Sequence, residues 1–149
     1  NEAKAIACAN DISEMGFEVE LAPSSAYVVG MCNLVLTTTS ARQPVITADA
    51  DVMRGILIVA LGCDGVGKQE LSSATVGQAD VVIVDSRVQC LAFGETSHAV
   101  RANMLTQDKI IELGTALADH SLHRQPQNDT RVIIVDLTGV AVQDVAIAK

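Results

Sequence analysis

The constraint that bears hardest on this chain is a short apolar run that empties into a glycine-rich turn. Ile56-Leu57-Ile58-Val59-Ala60-Leu61 is followed at once by Gly62-Cys63-Asp64-Gly65-Val66-Gly67-Lys68-Gln69-Glu70-Leu71. A run this short, with no polar alternation, suits a strand buried on both faces. Three more segments share that character: Leu34-Val35-Leu36-Thr37, Val81-Val82-Ile83-Val84 between Asp80 and Asp85, and Val132-Ile133-Ile134-Val135 between Arg131 and Asp136. Helix-like stretches separate them. The expected fold is therefore α/β, an open and mostly parallel sheet with helices on both faces. Such sheets bind ligands outside the carboxyl ends of their strands, which is where the glycine-rich turn falls. Its glycines let a ligand approach the backbone closely.

Periodicity fills in the rest. Residues 1–15 read as an amphipathic helix, with Ala5, Ala9, Ile12 and Met15 at helical spacing and Gly16 as its stop. Residues 17–21 alternate like a strand. A short helix follows over 23–30, then a connection over 46–55. Helices are expected over 70–78, 87–104 (weakened by Gly94) and 108–120, with a polar loop from Ser121 to Thr130 in which His123, Arg124, Gln125 and Pro126 break periodicity. Thr138-Gly139 turns into a last helix. Both ends of the sequence stand in helical register without a cap, so the expectation is a sheet truncated at both ends, cut from a longer protein.

Composition excludes several functions. The 149 residues carry a net charge of −8 and only 2% aromatics. Phosphates would be repelled and few rings are available for base stacking, so no nucleic-acid partner is expected. No apolar run reaches membrane-spanning length and no signal peptide is visible, so the expected location is cytoplasmic, with no membrane partner. Cys8, Cys32, Cys63 and Cys90 form no CxxC and are expected to be reduced and buried. Cys63 stands apart because it lies in the turn.

Two chemistries compete for that turn. Gly62 to Lys68 fits GxxxxGK, the pattern of a phosphate loop, but Gln69 stands where a Mg²⁺-binding Ser or Thr is needed. The other reading makes Asp64 an acid–base group, with partial desolvation raising its pKa. Lys68 then pairs with a cofactor. Thr38-Thr39-Ser40, at the end of another strand, offers hydroxyls to a ligand. His120 and His123 form an HxxH with no third ligand nearby, so no metal is expected. His98 reads as a surface or satisfied side chain. Ser72-Ser73 has no base partner. Asp85 and Asp136 end strands and suit capping and turn formation.

Five segments, in order, carry a family resemblance. They are Thr37-Thr38-Thr39-Ser40 with Pro44; Gly62-Cys63-Asp64 with Gly67-Lys68-Gln69-Glu70-Leu71; Ala79-Asp80-Val81-Val82-Ile83-Val84-Asp85-Ser86; Phe93-Gly94-Glu95 with Glu112-Leu113-Gly114; and Asp136-Leu137-Thr138-Gly139-Val140-Ala141-Val142-Gln143-Asp144. The chain resembles the C-terminal two-thirds of the dinucleotide-binding domain of the ornithine cyclodeaminase/mu-crystallin family. That resemblance implies a Rossmann-type domain binding NAD or NADP. It implies reactions at the Cα–N bond of an amino or imino acid: cyclodeamination, amino-acid dehydrogenation or ketimine reduction. Asp64 corresponds to the catalytic carboxylate. Lys68 and Thr39 correspond to cofactor contacts, and Ile58, Val59, Ala60 and Leu61 to the strand end that lines the nicotinamide.

The chain departs from the family pattern in places. Leu137 replaces a common Ser two residues before Gly139, leaving the neighbouring Thr138 as the cofactor-binding hydroxyl. Val66 replaces a common Pro. The pyrophosphate loop and the N-terminal lobe, with its substrate-binding residues and homodimer contacts, are expected to precede this sequence, so the segment alone is expected to be inactive. Alternatives are a phosphate-loop NTPase using Gly62 and Lys68, and a non-catalytic binding protein of the same family.

Overall fold

The computed structural model describes residues 2–49, 51–124 and 128–148. Gln125, Pro126 and Gln127 of the expected polar loop lie outside the described residues, as do the side chains of Gln143 and Asp144.

Five strands form one sheet, and every pairing in it is parallel. They are β1 (Leu34–Thr37), β2 (Leu57–Ala60), β3 (Val81–Val84), β4 (Ile110–Glu112) and β5 (Ile133–Asp136). The helices are α1 (Glu2–Glu14), α2 (Ser25–Met31), α3 (Ser73–Gly77), α4 (Arg87–Phe93), α5 (Glu95–Arg101), α6 (Leu113–Ala118) and α7 (Ala141–Ile147). The architecture is a Rossmann-like α/β sheet. The spatial order is β1-β2-β5-β3-β4, so the last strand enters between the second and third. Register places Thr37, Ala60, Asp136 and Val84 side by side at the carboxyl edge.

Strand alternation divides the core. Val35, Ile58, Val82 and Ile134 point to one face and pack with Met53, Ile56, Leu71, Val76, Ala99 and Ile110. Each such buried aliphatic side chain contributes roughly 1.5–3 kcal/mol. Ile83 and Ile133 point to the other face, where Ala116 of α6 packs with Leu57, Ile111 and Val135 around it.

Several expectations need correction. Residues 17–21 form no strand, and α1 buries none of its residues, with Ile12 and Met15 exposed. The expected 70–78 helix shrinks to α3, because Leu71 pairs with Ile46 in an isolated parallel bridge. The 87–104 helix breaks at Gly94 into α4 and α5. The 108–120 helix becomes a 3₁₀ turn (Gln107–Lys109), β4 and α6. Ile110 and Ile111 have helical spacing to Leu113 and Leu117, but pairing with Val82 and Ile83 outweighs that local preference. Cys8 and Cys32 are exposed, while Cys63 and Cys90 are buried, and all four are free. Among the described residues no helix is long and apolar enough to cross a membrane.

Candidate active site at the carboxyl ends of β2 and β5

Because β5 lies beside β2, the turns that leave them meet. Leu61 and Asp64 after β2, and Leu137, Thr138 and Gly139 after β5, line a cleft of about 220 Å³. Sites that enclose drug-sized ligands are roughly 300–1,000 Å³. The cleft suits one ring with a small acid, not a whole dinucleotide.

Asp64 and Lys68 share the outer rim. Lys68 Nζ lies 2.5 Å from Asp64 Oδ1, and the Asp64 side chain is 55% exposed. The hydrogen bond from Lys68 holds the Asp64 carboxyl below the usual carboxylate range, against an opposing push from burial. This corrects the expectation of a raised pKa: the ammonium's hydrogen bond and charge outweigh desolvation on this outward-facing turn. The turn itself is fixed from below. Lys68 N–H donates to Gly65 C=O at 3.2 Å, with Gly67 at φ +77, a conformation natural to glycine. The Lys68 carbonyl accepts from His98 Nε2 at 2.9 Å and lies 3.0 Å from the Cys63 thiol. A carbonyl can only accept, so His98 carries its proton on Nε2. Burial and the neighbouring Glu95 push the Cys63 thiol far up, so Cys63 is a structural thiol and not a nucleophile.

The other expected residues divide by face. Ile58 and Ala60 are fully buried in the main core, while Val59 is half-buried and Leu61 exposed toward the cleft. Thr39 is exposed at the end of β1, and its hydroxyl accepts from Ala41 N–H at 3.3 Å. Thr138 is buried. Its hydroxyl donates to Asp85 Oδ1 at 3.1 Å and accepts from Gln89 Nε2 at 3.0 Å. Asp85 Oδ2 also accepts from Gly139 N–H at 2.7 Å, and Gln89 Nε2 donates to the Gly139 carbonyl at 2.7 Å. The Thr138 hydroxyl is thus spent inside the protein, in a clamp on the 137–139 turn. What this turn presents to the cleft is chiefly backbone.

Sequence reasoning marked Asp136 for capping, which it does for α5, but missed the set of buried carboxylates to which it belongs under the site. Glu70, Glu95 and Asp136 are all fully buried. Glu70 accepts from the Thr37 hydroxyl, Thr39 N–H and Gly62 N–H. Glu95 accepts from Glu70 N–H and Leu71 N–H. Burial, reinforced by Asp136, pushes the Glu95 carboxyl up to about 7 despite those two donors. Asp136 Oδ2 accepts from Thr96 N–H at 2.8 Å, capping α5, whose own N-cap is Gly94. Burial likewise raises the Asp136 pKa. Acidic residues beside Gly94 and at the end of the glycine-rich turn were the available signal.

The same network argues against the phosphate-loop alternative. A phosphate loop needs free amides that converge on an anion. Here Gly62 N–H is taken by the Glu70 carboxylate, Gln69 N–H by the Ala41 carbonyl, and the Glu70 and Leu71 amides by Glu95. Elsewhere, a larger hollow of about 520 Å³ lies against α1 at Glu2, Ala5, Leu21, Ala22 and Pro23. These residues are all exposed, and no cluster of chemistry-bearing groups faces it. His120 and His123 stack edge to face at 4.8 Å. Among the described residues no group of three or more His, Cys, Asp or Glu side chains is arranged so that it could hold a metal ion.

The model of the ornithine cyclodeaminase/mu-crystallin family matches residues 1–149. The chain is 35% identical over 136 residues to an uncharacterized cyclodeaminase of Sinorhizobium fredii, covering 91% of this chain and 40% of that protein. It is 38% identical over 119 residues to an alanine dehydrogenase of Archaeoglobus fulgidus, covering 79% and 36%. Among solved structures, the iminosuccinate reductase of Paracoccus denitrificans in complex with NAD+ superposes with a TM-score of 0.80 at 30% identity. That match covers 95% of this chain and 42% of the reductase. The chain therefore spans well under half the length of these proteins.

Proposed function

This chain belongs to the ornithine cyclodeaminase/mu-crystallin family, and from that premise we propose that it forms the C-terminal part of a dinucleotide-binding domain. The enzyme acts on an amino or imino acid at its Cα–N bond. Its cofactor is NAD or NADP, which supplies the hydride donor or acceptor when bound. The full-length enzyme is a cytoplasmic homodimer, with the pyrophosphate loop and the dimer-forming lobe outside this segment. The greater length of its relatives supports that division, since this chain aligns with only 40% or less of the two sequence relatives.

One observation carries the reading: Asp64 shares a ring-sized cleft with Leu61 and the 137–139 turn at the carboxyl edge of a parallel sheet. Leu61 and Leu137 supply an apolar wall and exclude water. The 137–139 backbone orients the ring. Thr39, Lys68 and the strand-end residues Val59 and Leu61 complete the cofactor side, with Ile58 and Ala60 buttressing that strand from the core, and the backbone next to Thr138 serves where its hydroxyl is engaged. Asp64, held deprotonated by Lys68, accepts a proton from the substrate amine or from water at its Oδ atoms and returns it in the reverse direction.

The test is Asp64→Asn in the full-length enzyme, assayed with reduced dinucleotide and a panel of imines. Turnover should fall roughly 10²–10⁴-fold, the usual range for a general acid–base group. Dinucleotide affinity by calorimetry should stay within a few-fold. Near-normal turnover would overturn the assignment.

A further inference from the structure

We infer that Glu70 is a positioning residue for this reaction, holding the Asp64 turn and the Thr39 turn in one rigid frame. The inference rests on the reading of the cleft given above and deepens it. Three donors converge on the Glu70 carboxylate: Thr37 Oγ1 at 2.7 Å and Gly62 N at 2.8 Å on Oε2, and Thr39 N at 2.5 Å on Oε1. Two of these donors belong to the end of β1 and one to the end of β2. One side chain thereby ties together the two segments that carry the expected cofactor hydroxyl and the catalytic carboxylate.

The tie has little slack. A Cβ at Gly62 would overlap both the Thr39 carbonyl oxygen and the Glu70 carboxyl, so the two turns pack in direct contact. Glu70 is itself fastened on both sides. Its N–H donates to Glu95, and its carbonyl accepts from Val45 N–H at 2.8 Å and Ile46 N–H at 3.0 Å. The chemistry of the position also demands a carboxylate. Both oxygens face N–H donors, so a glutamine would turn its NH₂ against one of them whichever way it flipped. Asp64 lies two residues beyond Gly62, and a displacement of about 1 Å at a reacting group can cost on the order of 10²-fold in rate.

Glu70→Gln and the milder Thr37→Val, which deletes one of the three bonds, are to be measured in the full-length enzyme beside Asp64→Asn. The readouts are kcat per titrated dinucleotide site and KM for the imine. For Glu70→Gln the expected result is a kcat per site at least thirtyfold lower, with the imine KM changed less than threefold. For Thr37→Val a three- to tenfold loss is expected, and this variant decides the matter if Glu70→Gln does not fold. A merely structural role would lower the number of titrated sites and leave kcat per site unchanged, and that result overturns the inference. Full activity per site in Glu70→Gln beside an inactive Asp64→Asn overturns it too, while the reading of the cleft stands. Full activity in Asp64→Asn overturns the reading of the cleft and the inference with it.

Discussion

The Lys68 ammonium reaches back across the turn, four residues along the chain, to sit 2.5 Å from Asp64 Oδ1 on the open rim of the cleft. The pair is a pre-set proton acceptor: the carboxylate stays charged to lower pH than an ordinary aspartate. An exposed pair of this kind adds little to stability, typically about 0–1 kcal/mol. Its value lies in the protonation state it fixes.

Lys68→Met should therefore raise the Asp64 pKa toward the ordinary carboxylate range. The acidic limb of the pH profile of kcat/KM in the full-length enzyme should move to higher pH, with thermal stability nearly unchanged. An acidic limb that stays in place would mean that a group other than Asp64 governs it.

Thr138→Val should act through structure before it acts through ligand contact. It removes the hydroxyl that bridges Asp85 and Gln89, and a buried hydrogen bond left half-made costs about 1–3 kcal/mol. Thr138→Ser keeps the hydroxyl and should recover most of that loss in urea unfolding. If Val and Ser variants were equally stable, the clamp on the 137–139 turn would carry no weight.

Gly94→Ala tests the α4–α5 break. The backbone there is ordinary, at φ −71, so the cost is spatial. An added Cβ would lie 2.5 Å from Asp136 Oδ2, a buried oxygen committed to Thr96 N–H. The expected destabilisation is about 1–3 kcal/mol, read as a lower denaturant midpoint.

Stability should also depend on pH through Glu95. Its carboxyl, pushed up to about 7 from an ordinary 4.5, keeps its proton in the fold at pH values where the unfolded chain has lost it. That contribution is complete below about 4.5 and is lost as pH rises through about 7, with a slope of at most about 1.4 kcal/mol per pH unit. Asp136, also raised by burial, acts in the same direction. Glu95→Gln should be less steep than the wild type in unfolding free energy between pH 5 and 7.5. Parallel profiles would remove Glu95 as the titrating group.

The sequence made most of the sheet legible, and for a physical reason. Runs such as Ile58 to Ala60 and Val82 to Val84 are apolar without interruption because both of their faces lie against protein. Ile110 and Ile111 were read as helix because only two or three residues pair there, too few to show a period of two. The position of β5 was not legible at all, since strand order depends on contacts between residues far apart in the chain. That order is what brings the 137–139 turn to Asp64. Asp64 and Lys68 stood out as charges in a glycine-rich turn. Glu70 and Glu95 did not, because nothing local marks a carboxylate as buried when its donors come from distant strand ends. The Thr138 hydroxyl shows the converse limit: its residue type suggested a ligand contact, and its partners Asp85 and Gln89 lie about fifty positions away.

The insertion of β5 also dictates when the domain can assemble. β1 pairs with β2, and β3 with β4, and among the described residues the sheet joins the two pairs through Ile133–Asp136 alone. During synthesis they emerge as separate ribbons, each with an unsatisfied edge. Neither can merge with the other until the final strand arrives. Joining the two pairs must therefore wait for Ile133–Asp136, and this long-range closure is slow. Between the synthesis of β4 and that of β5 the nascent chain carries both pairs unjoined, a window in which chaperone capture or mispairing competes with the native sheet.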